Sequence, residues 1–292
     1  MHPAPSIIGF TTFSGLGFGL MAWLGLGLPA VTGWAAFAYF ALAFGMATGG
    51  LLASTLHLGN PQRALRAFSQ WRSSWLSREA VLAVATLLVM AGYGAGLVFL
   101  HQRLVVLGLI GAALSLATVF ATSMIYAQLR TVPRWNHWTT PALFLALSLT
   151  GGATLVGQAT VAIGFLLTSA ALQVATWRLG DQRFVVRGTT LATATGLGAI
   201  GKVRQFSPPH TGSNYLLKEM VHRIGRKHAQ RLRVISLVLM SLIPAALLWL
   251  APNSIGSLGA LLSHAIGTLT ARWLFFAEAE HVVGLYYGAH QP

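Results

Sequence analysis

The sequence predicts an all-α integral membrane protein, an eight-transmembrane-helix bundle with one long basic loop. Three observations carry that prediction. Of 292 residues, 55% are apolar and only 8% charged, where a soluble domain carries roughly a quarter charged residues. Apolar runs of about 20 residues recur without a charge, the length that crosses a hydrocarbon core. The cations are also sorted. Dividing the loops of an eight-span chain between two sides leaves 18 Lys and Arg on one side and Arg103 alone on the other. Lys and Arg accumulate on the cytoplasmic side of membrane proteins. Both termini are therefore expected in the cytoplasm, and the chain in the cell inner (cytoplasmic) membrane as a single polytopic domain over residues 1–292.

The spans read, in order, as roughly 7–28, 32–56, 80–100, 104–127, 140–157, 159–177, 234–251 and 256–277. No basic residue precedes the first apolar run, the first arginine being Arg63, which argues against a cleaved signal peptide. The first two spans carry small-residue patterns, "GLGFGL" and "MATGGLLAS", of the kind that lets membrane helices approach closely. Span two runs out at His57 and the chain turns at Gly59-Asn60-Pro61. Gly59 suits a left-handed helix cap, and Pro61 suits the first turn of a new segment. That segment turns Leu65 and Phe68 toward lipid and Arg63 and Arg66 toward water or a partner. Span three follows, opened by Glu79.

The sizeable extramembrane element is 178–233. Its Thr/Gly-rich middle and "SPPHTGSN" read as irregular loop, and Asn214 is placed to cap a helix from about Tyr215. At helical spacing Leu216, Leu217, Met220, Val221 and Ile224 share one face, with Lys218, His222 and Arg226 opposite. Such a basic amphipathic helix either lies on anionic membrane lipid or docks an acidic partner.

Composition limits the chemistry. With no cysteine, the chain holds no disulfide and no cysteine-ligated zinc or iron–sulfur cluster. A net charge of +14 would suggest nucleic acid in a soluble protein, but here the cations lie in loops, where topology and partner contact explain them and nucleic acid is not expected. No Asp or Glu falls in the middle of a span, and His264 is the ionisable group nearest mid-depth. Coupled transporters place their sites at the midplane, so that reading loses weight. Ionisable groups collect instead at the basic end: His57, Arg63, Arg66, Arg78, Glu79, His137, Arg272, Glu278, Glu280 and His281.

Two readings of that cluster stay open. In the first, His57 reaches toward lipid headgroups and Glu79 complements the positive end of its own helix. In the second, the two flank one pocket, where a histidine hydrogen-bonds a quinone carbonyl and a carboxyl relays its protons. Haem is disfavoured, because no pair among His57, His137 and His281 projects clearly into the bundle. Trp71, Trp75, Trp135 and Trp138 are expected to anchor the membrane interface, with quinone stacking as the alternative.

Three blocks add a family resemblance. "LHLGNPQRALRAF" (56–68) followed by "SWLSREA" (74–80), "TVPRWNHWTTPALF" (131–144) and "RWLFFAEAEHVVGLYY" (272–287) resemble the integral-membrane anchor subunit of the dimethyl sulfoxide reductase family. The resemblance implies a chain without redox centres of its own, holding an iron–sulfur subunit and a molybdopterin catalytic subunit at the membrane and exchanging electrons with ubiquinone or menaquinone. It places the quinone site at His57 and Glu79, and gives Arg63, Arg66 and Arg78 contacts to the iron–sulfur subunit or to quinone oxygens. The long segment 178–233 looks more like anchors of the cytoplasmic sulfite-oxidising branch than like those of the respiratory sulfoxide reductases. A purely structural membrane tether and a quinol-oxidising anchor are the alternatives.

Overall fold

The computed structural model describes residues 1–55, 60–207, 209–212, 214–221 and 228–288. Among them the regular structure is helical throughout. Helices α1 (Pro5–Gly25), α2 (Gly33–Thr55), α3 (Trp75–Phe99), α4 (Val105–Ala127), α5 (Thr139–Val156) and α6 (Ala159–Val186) are followed by two short helices, α7 (Leu191–Thr195) and α8 (Tyr215–Glu219). The chain then re-enters the bundle through α9 (Ala229–Leu237), a π-helical stretch (Val238–Leu242) and α10 (Ile243–Leu250), and closes with α11 (Ser254–Ala277). Seven helical runs, with 229–250 taken as one, are long and apolar enough to cross a membrane among the described residues. The eighth expected span, α11, has the length, but Ser263, His264, Thr268, Thr270 and Arg272 interrupt its apolar run, and it is not among those seven.

α1 sits in the middle of the bundle, packed against α2, α4, α5 and α11. The small-residue pattern does what the sequence suggests. A Cβ on Gly19 would overlap the Ser148 carbonyl oxygen, and one on Gly50 would meet the Ser14 amide nitrogen at 2.5 Å. The backbones touch, and only glycine fits. Polar pairs inside the bundle are few and mutual: Thr86 with Thr118 at 2.9 Å, and Thr150 with Ser169 at 2.7 Å.

The π-helical stretch explains the mid-depth histidine. A π turn leaves carbonyls that its own helix does not satisfy, and lipid supplies no donors. α11 supplies them: Ser263 donates to the Leu239 oxygen at 2.8 Å, and His264 Nδ1 lies 2.7 Å from the Met240 oxygen. Because a carbonyl only accepts, Nδ1 carries the proton, and His264 is a tie between helices.

Several expected boundaries move. α3 begins at Trp75 rather than near 80, α6 continues to Val186 and α9 begins at Ala229, so the segment between membrane helices is 187–228, shorter than the expected 178–233. Hydropathy ended the expected spans, but Asp181, Arg183 and Arg233 are compatible with helix and continue it. Asn214 caps α8 as expected, accepting from the Leu217 amide at 2.9 Å. α8 itself is one turn long, and the rest of the expected amphipathic face, with His222, Ile224 and Arg226, lies outside the described residues. At the other end of the bundle Arg103 donates to the Leu26 carbonyl oxygen at 2.5 Å, so that end's single cation helps to close α1.

Candidate functional site

The basic end of the bundle gathers the chain's N-terminus, the 61–74 connection, the 128–138 loop, segment 187–228 and the residues after α11. Main-chain contacts knit them together. The Met1 amine donates to the Ala279 oxygen at 2.8 Å, and the Val282 amide to the Thr131 oxygen at 2.9 Å.

Residues 61–68 form a 3-10 helix beginning at Pro61, the turn that proline predisposes. Its Leu65 is 82% exposed, and Arg63 and Arg66 are exposed as well. Arg78 has a local task. Its guanidinium donates to the Trp71 and Arg72 carbonyl oxygens at 3.0 and 2.7 Å and lies 4.4 Å over the Trp75 ring, folding the 69–74 turn onto the start of α3. His57 lies outside the described residues.

Glu79 turns away from these arginines. It sits in the second turn of α3, buried at 4% exposure, about 6 Å along the helix from Trp75. Its carboxyl is not engaged by its own helix's amides. Thr122 of α4 donates to Oε1, and no cation pairs with it among the described residues. The Thr122 hydroxyl has one proton and a second acceptor, the Thr118 oxygen at 3.0 Å. Turned to Thr118, it leaves its own oxygen free to accept from a protonated Glu79. The pair can therefore hold the carboxyl in either protonation state, which is what a proton relay requires.

One turn beyond Thr122, on the same face of α4, Tyr126 packs into an aromatic cluster. Its ring centroid is 5.3 Å from Trp135, 5.8 Å from Phe144, 5.4 Å from Phe275 and 5.5 Å from Phe276. Trp135 corrects the expectation of an interfacial anchor. It is buried, stacks on Phe275 at 5.1 Å and donates through Nε1 to the Phe275 oxygen at 2.9 Å. Trp71 and Trp138 are exposed, as anchoring requires. The Arg272 guanidinium lies 3.5 Å over the Phe144 ring.

Beside this cluster lies a four-residue ion network. Arg134 pairs with Asp181 and, at 3.4 Å, with Glu278; Arg233 pairs with the same two carboxylates at 2.6 and 2.7 Å. The network ties the 128–138 loop, α6, α9 and the end of α11, and lines an open cleft of about 430 Å³. Nearby Asn136 donates to the Ala127 oxygen and accepts from Arg187, both at 2.6 Å. His137 is held below the ordinary histidine range by partial burial and by the nearby Arg183.

Of the expected site residues, the structure isolates Glu79 in the bundle, leaves Arg63 and Arg66 on the surface and engages Arg78 in a turn. Thr122 and Tyr126 enter the site from packing, and Arg272, expected at this end, proves buried in the bundle. The sequence signal for the first two is only a threonine and a tyrosine one turn apart in an otherwise apolar span.

A profile of the family described as "DMSO reductase anchor subunit (DmsC)" matches residues 34–277. A sulfite dehydrogenase subunit from Allochromatium vinosum is 31% identical over 323 aligned positions, spanning 98% of this chain and 99% of the relative.

Proposed function

The chain belongs to the DMSO reductase anchor subunit family, and from that premise we propose that it is the membrane anchor and quinone-reactive subunit of a molybdopterin/iron–sulfur oxidoreductase that oxidises sulfite. In this reading α11 is the eighth span, and both termini and the ion network face the cytoplasm. The 18-to-1 sorting of cations supports that orientation. The iron–sulfur subunit docks on the exposed arginines of 61–72, and the molybdopterin subunit sits beyond it. Likeness to the sulfite dehydrogenase subunit favours sulfite oxidation over sulfoxide reduction.

One observation carries the chemistry: a buried carboxyl without a cation, hydrogen-bonded to a threonine, within about 6 Å of the basic end of its helix. Ionisable groups inside a membrane are costly and mark function. Reducing a quinone to a quinol takes two electrons and two protons. The electrons come from the iron–sulfur partner. Glu79 gives one proton to a quinone oxygen and is reprotonated from the aqueous side, with Thr122 bonding to it in both states, and the second proton reaches the other oxygen from the same aqueous side through His57. His57 donates a hydrogen bond to the other quinone carbonyl. Protons taken up at the same end that releases them in sulfite oxidation need no route across the bilayer, in keeping with spans that carry no mid-depth carboxylate.

The test is sulfite-dependent reduction of a soluble quinone analogue by the purified complex. With His57→Ala the complex assembles and oxidises sulfite with an artificial dye, but quinone reduction falls about a hundredfold. Unchanged quinone reduction in that variant would reduce this protein to a structural tether.

A further inference from the structure

Arg272 is the anomaly of the basic end. It is 2% exposed, and no carboxylate pairs with it among the described residues. Its Nε has no hydrogen-bond partner. A buried charge left without a counterion costs several kcal/mol, and one held inside a membrane bundle marks function. The two arginines of the network, Arg134 and Arg233, show what a structural cation looks like here, since each is paired with two carboxylates.

Arg272 lines a cavity of about 20 Å³ between α5, α6 and α11, together with Thr140, Gln173 and Thr176 and with Arg134 and Glu278 at its outer wall. Gln173 is 3% exposed. Cavities that stay dry are apolar; a polar one with room for a water-sized probe holds water. This cavity has the size and polarity that suit one water-sized ligand beside the unpartnered Nε of Arg272.

Arg272 and Glu79 lie at the same end of the bundle, separated by Phe144, Tyr126 and Thr122. From Glu79 the path runs to Thr122, one turn along α4 to Tyr126, and across the Phe144 ring to the guanidinium. One end of a single bundle thus buries an unpaired acid and an unpaired base, held apart by aromatic rings.

We propose that Arg272 is a positioning residue for quinone reduction: its uncompensated charge stabilises the negative charge that develops at Glu79 and the quinone as electrons arrive. The proposal rests on the quinone chemistry assigned above to Glu79. When an electron pair reaches the quinone and Glu79 surrenders its proton to the new O–H bond, a carboxylate is left in a low-dielectric site. A fixed cation at the same end of the bundle lowers that state without moving, as preorganised electrostatics do. Pairing Arg272 directly with Glu79 would quench both, and the intervening rings prevent it.

The experiment uses the purified complex with a soluble quinone analogue. Arg272→Gln lowers kcat for quinone about tenfold with KM little changed, the effect of a unit charge acting across several ångströms of protein. Dye-linked sulfite oxidation stays intact, and Arg272→Lys restores most of the rate. Gln173→Glu serves as a second variant that keeps the arginine but places a counterion in the cavity, and it lowers kcat in the same way. Wild-type quinone turnover in both Arg272→Gln and Gln173→Glu, with Glu79→Gln inactive, would overturn the role of Arg272 and leave the quinone site standing. Wild-type turnover in Glu79→Gln would remove the quinone reading, and the role of Arg272 with it.

Discussion

Two glutamates near the same end of the bundle lead opposite lives. Glu278, 7% exposed at the end of α11, is held by Arg233 and Arg134 and belongs to a network joining four segments. Glu79, 4% exposed in α3, has a threonine and no cation. The arginines repeat the contrast, with Arg233 fully paired and Arg272 unpaired. Pairing fixes a charge and makes it structure. Leaving a buried acid unpaired keeps its proton exchangeable, and environment rather than residue type assigns the role.

The contrast is most easily broken on the paired side. Arg233→Ala leaves Asp181 and Glu278 sharing one arginine, and losing these charge-assisted hydrogen bonds costs about 2 kcal/mol, less than in a fully buried pair because Asp181 is 43% exposed. We expect a lower thermal midpoint of the purified chain and looser attachment of segment 187–228, read by limited proteolysis. A midpoint equal to wild type would show that the network is ornamental. On the unpaired side, Thr122→Val keeps the volume and removes the hydroxyl that serves both protonation states. It lowers quinone turnover about tenfold, a loss of about 1.4 kcal/mol in barrier terms, with no change in thermal midpoint. A drop in midpoint without a kinetic effect would move Glu79 into the structural class.

The smallest effect is one of pH. Burial and the positive amino terminus hold His281 below its ordinary value of 6.5, and its Nδ1 accepts from the Val283 amide at 3.0 Å. The unfolded segment therefore binds its proton more readily than the folded one. This contribution to stability is present above the ordinary histidine range and fades as pH falls below it. Amide exchange at Val283 should quicken below about pH 6 relative to its neighbours; exchange independent of pH in this sense would show that Nδ1 holds no such bond.

Much of this was legible in the sequence, for identifiable reasons. Apolar length and cation sorting depend on lipid and water alone, so the spans and the two unlike ends could be read without contacts. Asn214 and Pro61 act on the turns beside them, and the α8 cap and the 61–68 turn followed. Glu79 stood out because it opened an apolar run. What escaped depended on packing between distant segments. Trp135 reads as an interfacial tryptophan until Phe275 and Tyr126 close over it. His264 looks like a mid-membrane site until the π turn presents the Met240 carbonyl. Arg272 was expected among the ionisable groups at the basic end of the last span, but nothing local shows that it lacks a counterion. The α6 extension was missed because hydropathy marks where lipid ends and not where a helix does.

The central claim is that Glu79 carries protons to quinone, and one ratio tests it most directly. In purified complex, sulfite-dependent quinone reduction divided by dye-linked sulfite oxidation should fall about a hundredfold in Glu79→Gln, with all subunits retained. A ratio equal to that of the wild type would contradict the account.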